Sequence, residues 1–390
     1  MKDAITEGNA APAKGGRLES LDVLRGFDMF FIFLPDPAPC IIFVFLEMIG
    51  LGDTAFSAQF DHVRWSGLHF YDCIFPLFLF IAGVTWPYSL ANQRAKGSSD
   101  LKISLKILRR SALLFLLGAM VQTKIDGLQE TGILQFDWQT FRVWSVIGRI
   151  GIAWGVSAFL YLWFGRRSRI MIAIAILLGM WALMRFAVAP GAPDGVNPLI
   201  DRQWMWARWF DTNFLTTAHR AEGGVATITM VVTAMFGVFA GEILRSEASP
   251  SRKALNLLGY SALLTVCGLA VAFAFGGWSM PIVKGIWSSS FALVAGGISA
   301  TLLAAFYWMI DIKGWRRWGF FFKVIGMNAI TIYILVRTIL PYEFEKAYFF
   351  GGISKYLSPE VAEFVSQAGL IALGWLLLLY LYRKKIFLRV

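Results

Sequence analysis

Cysteine, histidine and charge are all scarce in this chain. Its three cysteines, Cys40, Cys73 and Cys267, lie in or beside apolar segments and none forms a CxxC pair. That pattern excludes a disulfide framework and a thiolate metal site. The three histidines are His62, His69 and His219. With Asp72 and Glu222 they make no HExxH arrangement, so no metal is expected. Charged residues reach only 16%, where soluble domains carry about 25%. No secretory leader is legible either: Met1–Glu19 is polar and rich in small residues, and no short apolar core with a cleavage site follows it. Internal repeats are also missing, which counts against the common transporter folds.

What is abundant is apolar sequence. Hydrophobic residues make up 57% of the 390, including 34 Phe and 16 Trp. The class this defines is all-α: a polytopic helical bundle of about ten membrane spans, each about 20 residues long. Residues 1–19 read as a flexible cytoplasmic tail, and residues 20–390 as a single transmembrane domain. The net charge of +11 is dispersed in short basic groups between spans, which is the positive-inside pattern. Nucleic acid is therefore not an expected partner; the bilayer is.

The first span opens near Leu21 and is interrupted by Pro35, Pro37 and Pro39, since proline removes a donor and breaks a helix. If that break divides the span, the count becomes about eleven. Further spans are expected near His69–Ala91, Ile103–Gln122, Phe141–Phe164 and Ile170–Val188, the last preceded by a tight basic turn, Arg166-Arg167-Ser168-Arg169. Then come Val225–Leu244, Ala254–Phe275, Ile286–Ile310, Phe320–Leu340 and Phe364–Tyr382. Lys and Arg concentrate in alternate links and at the C-terminal Arg383-Lys384-Lys385, so both termini are expected in the cytoplasm. The same alternation puts His62, His69, His219 and Glu222 together on the extracytoplasmic side.

The stretch that concentrates chemistry is Asp61–Gly83, DHVRWSGLHFYDCIFPLFLFIAG, which turns from polar to strongly apolar within a few residues. A histidine beside the mouth of an apolar helix suits proton transfer at a membrane surface, so His62 reads either as a proton-transfer residue or as a solvated loop histidine. His69 and Asp72, three residues apart, offer an aspartate that could orient an imidazole. Ionisable residues inside or at the rims of spans are costly and mark interior-facing positions. Here these are Asp22, Arg25, Asp28, Asp72, Arg149, Lys284, Asp311 and Arg337. Asp22 and Arg25 share a helix face, either as an ion pair or with Arg25 free to hold an anionic ligand. Arg109 and Arg110 read as topology anchors or as phosphate ligands, and Arg149 lies deeper.

Six segments, in order, resemble the heparan-alpha-glucosaminide N-acetyltransferase family within the transmembrane acyltransferases. They are RLESLDVLRGFDM from Arg17, HVRWSGLHFYDCIFPLFLFIAG from His62, and FRVWSVIGRIGIAW from Phe141. AEGGVATITMVVTAMFGVFAGEIL from Ala221, MPIVKGIWSSSF from Met280 and IGMNAITIYIL from Ile325 complete the set. Gly148 stands where the family commonly has Gln, and Ala221 where it has Pro.

The resemblance implies transfer of an acetyl group from cytoplasmic acetyl-CoA to the amino group of a glucosamine unit across the membrane. His62 matches the family's catalytic histidine, as general base or as acetyl carrier. Asp72 joins it in the catalytic set, and Asn328 is the candidate oxyanion donor. Arg25, Arg109, Arg110 and Arg149 are candidates for the CoA phosphates. His69, Glu222, Lys284 and Trp287 are candidates for the acceptor. Longer family members carry a lumenal domain before the first span, where this chain has a short tail. A bacterial inner-membrane enzyme acting on a smaller, cell-envelope or chitin-derived amino sugar is therefore expected, and a homodimer is compatible with the resemblance. An amino-sugar transporter on the same fold is the alternative, since a broken first span and buried charges would also suit a substrate pathway.

Overall fold

A computed structural model of the chain describes residues 18–33, 41–122, 125–126, 135–136, 144–215, 223–334 and 346–388. The apolar runs become helices: α1 (Glu19–Phe33), α2 (Ile41–Met48), α3 (Ile74–Ala95), α4 (Asp100–Gln122), α5 (Val146–Trp163) and α6 (Arg166–Phe186). They continue as α7 (Trp206–Phe214), α8 (Ala226–Arg245), α9 (Pro250–Phe273), α10 (Ser289–Phe306), α11 (Phe320–Met327), α12 (Ala329–Ile334) and α13 (Pro359–Arg383). A single antiparallel pair of two-residue strands, Ile125–Asp126 with Gln135–Phe136, is the sheet content among the described residues.

Seven described helical segments are long and apolar enough to cross a bilayer, which defines a polytopic helical membrane protein. Three further expected spans are also helical but differ in character. α1 covers 15 residues. α4 carries Asp100, Lys102, Lys106, Arg109 and Arg110 in its first three turns. The expected Phe320–Leu340 span is broken at Asn328, where φ is −123° and the N–H bonds back to Ile325 O at 3.0 Å. Asparagine readily terminates a helix, and the run of apolar residues around it hides that interruption.

Helix starts follow side-chain caps, which satisfy the orphan N–H groups of a first turn. Ser145 Oγ accepts from Gly148 N at 3.0 Å, and Ser249 and Ser358 each precede a proline in the first turn. Two expected starts shift with the residue at the N-cap. Arg166–Arg169 is not a turn but the opening of α6, because Gly165 supplies its N-cap. The expected span from Ile286 begins as a helix only at Ser289, because Ser288 Oγ accepts from Phe291 N at 3.2 Å.

α8 is the centre and is almost wholly buried, whereas α6, α9 and α13 leave most of their apolar surface exposed on the outside of the bundle. It packs on α3, α5, α6, α9 and α10. The α3–α8 contact is glycine-mediated. A Cβ on Gly83 would sit 2.1 Å from Ala234 O, and one on Gly237 1.9 Å from Phe80 O. α1 and α11 approach in the same way through Gly26 and Gly326. Small residues at such positions allow the close backbone approach that holds membrane helices together.

The bundle has two chemically distinct ends. At one, Glu19 pairs with Arg316 and Lys323, Arg169 with Glu242, and Arg245 donates to Pro87 O. At the other, the start of α3 meets the C-terminal part of α1, through Phe31 and Phe70 with rings 4.9 Å apart. His62 lies at this second end.

Candidate active site

The loop before α3 folds back onto the helix it precedes. Asp72, in the 3₁₀ turn Phe70–Cys73, is buried to 1% of its side chain, while the His62 side chain is 50% exposed. Asp72 Oδ1 lies 2.8 Å from His62 Nδ1. The other carboxylate oxygen accepts from His69 N at 3.1 Å and Val63 N at 3.4 Å. A carboxylate only accepts, so Nδ1 carries the proton and Nε2 is left as the basic nitrogen of His62. The Tyr71 ring, 4.8 Å from the imidazole, covers it on one side, and its hydroxyl donates to Phe31 O at 3.3 Å.

Lys284 completes the cluster from the turn before α10. Its Nζ lies 3.4 Å from Asp72 Oδ1 and 3.1 and 3.3 Å from the two ring nitrogens of His62. Gly67 N donates to Ile282 O at 2.9 Å, which docks the histidine loop on the lysine turn. A buried carboxylate thus has a lysine and an imidazole against it, the arrangement that makes burial of the charge tolerable.

The expected aspartate–imidazole pair is therefore Asp72 with His62, ten residues apart, rather than with His69. The Asp72 carboxylate meets His69 at its backbone N–H, and the His69 ring Nδ1–H donates to Asp61 O at 3.0 Å. Trp287, expected to face the acceptor, is fully buried; its ring stacks edge-on against Phe75, with centroids 4.9 Å apart. Glu222 and His219 lie outside the described residues.

The four candidate arginines divide by depth. Arg25 lies 3.5 Å from Asp22 and close enough to Arg110 for the two charges to interact. Arg110 stacks 4.5 Å over Trp154, and Arg109 is exposed on α4. Arg149 is buried, 5.5 Å over the Phe75 ring. Five residues separate it from Trp154, roughly 7.5 Å along α5 toward the histidine end. Asn328 is buried at 2%, and neither amide atom has a hydrogen-bond partner among the described residues. Asp28, on the interior of α1, is equally buried and without a partner among them.

Sequence reasoning assigned no role to Asp211 on α7. It is buried and accepts from Val225 N at 3.1 Å, closing the start of α8. Burial pushes its carboxyl above the usual range, against the opposing pull of the Val225 and Gly224 N–H groups and the charge of Arg149. The signal that could have found it is the Gly223-Gly224 pair: a Cβ on Gly223 would lie 1.3 Å from Asp211 Oδ2.

Fold and site together define a polytopic helical membrane protein with a histidine–aspartate–lysine cluster at one end of its bundle. No family model matches the chain. It is 26% identical to the human heparan-alpha-glucosaminide N-acetyltransferase over 434 residues, which takes in 96% of this chain and 60% of the human protein. It is likewise 26% identical to the mouse protein of that name, over 85% of this chain and 56% of the mouse protein. The chain is similar to these two proteins over most of its own length and spans a little over half of theirs.

Proposed function

We propose that this chain transfers an acetyl group from acetyl-CoA to the amino group of a glucosamine-type sugar, with His62 as the proton acceptor. The observation that supports this best is the 2.8 Å contact between His62 Nδ1 and the buried Asp72. It leaves Nε2, 3.3 Å from Lys284 Nζ, as the nitrogen without a proton, and it places a negative charge where an imidazolium would form. The names of the human and mouse relatives supply the substrate class.

In this reading the sugar ammonium gives one proton to His62 Nε2, and its nitrogen attacks the thioester carbonyl. The C–N bond forms, the C–S bond breaks, and the thiolate takes a proton, so the products are the N-acetyl sugar, CoA thiol and one released proton. Charge on the thioester oxygen needs a donor during the attack. Lys284 Nζ, beside His62, is one such donor, and the amide of Asn328, without a partner among the described residues, is a second deeper in the bundle. Capture of the acetyl group by His62 Nε2 itself, followed by transfer to the sugar, uses the same residues.

The CoA phosphates are assigned to the end of the bundle that carries Arg25, Arg109 and Arg110, and the sugar to the His62 end. Arg149, between the two, is assigned to the donor arm. The test uses the purified protein in liposomes, with acetyl-CoA on one face and amino sugars on the other. CoA thiol and N-acetylglucosamine are expected from the wild type and not from His62→Ala, although the variant still binds acetyl-CoA. Protein-dependent sugar uptake without either product would establish a transporter instead.

A further inference from the structure

Trp287 adopts φ +50°, a left-handed conformation that costs a non-glycine residue about 1–2 kcal/mol. Its neighbours explain the geometry. Ser288 N donates to Val283 O at 3.1 Å, and Trp287 N to Lys284 O at 2.9 Å. These nested bonds are the pattern that ends a helix at a left-handed residue, a place where glycine is the usual occupant. Here a tryptophan occupies it, and the turn it closes begins with Lys284.

The strain persists because the indole is fixed on every side. Trp287 is fully buried, its Nε1–H donates to Thr233 Oγ1 in the middle of α8 at 3.0 Å, and its ring packs edge-on against Phe75 and Phe291. The turn is tied down further by Ser288 Oγ, which accepts from Val283 N at 3.0 Å, and by Ser290 Oγ, which donates to Pro281 O at 2.9 Å. Strained residues held this firmly are found where geometry serves function. What this turn delivers is one side chain, Lys284, onto the His62–Asp72 pair.

We infer that Trp287 and Thr233 are positioning residues: the Thr233–indole bond locks the strained turn that holds Lys284 Nζ on His62 and Asp72. The inference rests on the transferase reading for its effect on rate, but its structural half is independent of that reading. Neither residue touches His62. Both act through Lys284, so their loss harms the site only to the extent that Lys284 matters there.

The experiment compares Thr233→Val, Thr233→Ser, Lys284→Ala and the Thr233→Val/Lys284→Ala double variant in the full-length protein. Thr233→Val removes the acceptor at nearly constant volume and is expected to lower kcat about tenfold with the acetyl-CoA KM unchanged. Thr233→Ser, which keeps the hydroxyl, is expected to restore the rate. The double variant is expected to be no slower than Lys284→Ala, because effects that run through one residue do not add. A wild-type rate in Thr233→Val overturns the inference, as does a double variant in which the two losses multiply.

A second readout needs no turnover. Modification of Lys284 by an amine-reactive reagent, followed by mass spectrometry, is expected to speed up in Thr233→Val as the ammonium leaves Asp72. Unchanged reactivity overturns the inference even if no amino sugar is ever acetylated, whereas absent turnover with faster labelling counts against the transferase reading alone. If Thr233→Val is not recovered folded, Trp287→Phe makes the same test, since it keeps a ring and lacks the N–H donor.

Discussion

At the scale of single residues, the site depends on Asp72 using both carboxylate oxygens. One takes the imidazole N–H of His62, and the other takes the backbone N–H groups of His69 and Val63. Among the described residues its hydrogen-bond and ion-pair partners, Lys284 included, are all donors. An asparagine has one acceptor atom and one donor atom, so Asp72→Asn must turn an NH₂ toward a group that also donates. It either presents the wrong tautomer of His62 or releases the loop, and it removes the charge that stabilises an imidazolium. The expected outcome is a kcat lowered by about 10²-fold or more, the scale of a lost general base. The acetyl-CoA KM should change little, because the arginines assigned to the phosphates lie elsewhere. Steady-state kinetics of the reconstituted variant check this; a loss confined to KM would mean that Asp72 serves binding instead. His62 and Asp72 were legible in the sequence as members of one motif, but their pairing was not. Contacts across a folded-back loop depend on its turns, and the spacing of His69 and Asp72 suggested the wrong imidazole.

At the scale of elements, apolar run length located the helices, and serine, glycine and proline chemistry then decided where each one starts. The break at Asn328 and the Trp287 turn were not legible. Both are backbone conformations fixed by tertiary contacts, and each lies inside an apolar stretch that composition reads as continuous helix. Glycines within helices were equally ambiguous in sequence, although the structure separates them into two kinds. Gly83 and Gly237 bring the backbones of α3 and α8 together, whereas a Cβ on Gly179 of α6 would meet nothing within 4 Å. Gly83→Ala or Gly237→Ala must therefore push apart the central helix pair that positions both Asp72 and Thr233. Such overpacking is expected to destabilise by about 1–3 kcal/mol and to lower activity with it. Gly179→Ala should be neutral or stabilising by up to about 1 kcal/mol, through helix propensity. Thermal unfolding in detergent compares them, and equal melting temperatures for all three variants would show that the α3–α8 glycines are not contact-limiting.

At the scale of the whole molecule, the proposed reaction requires that the two ends of the bundle face different compartments. The end with Glu19, Arg169, Arg245, Arg316 and Lys323 is strongly basic, and on the positive-inside bias it is expected to face the cytoplasm. Acetyl-CoA would then meet Arg25 and Arg110 from the side on which it is made, and His62 would face outward with the sugar. This sidedness can be measured without an activity assay. In a protein with Cys40, Cys73 and Cys267 replaced by serine, single cysteines are introduced at Lys96, beyond the end of α3, and at Asp194, in the link between α6 and α7. Both positions are exposed, and they lie at opposite ends of the bundle, because α3 runs from the His62 end to the basic end and α6 runs back. A membrane-impermeant maleimide added to intact cells is expected to label the Asp194→Cys variant and to reach Lys96→Cys only after permeabilisation. The reverse pattern would put His62 on the cytoplasmic face, where donor and acceptor share one compartment. Transfer across the membrane would then have no physical basis in this chain, whatever its chemistry at His62.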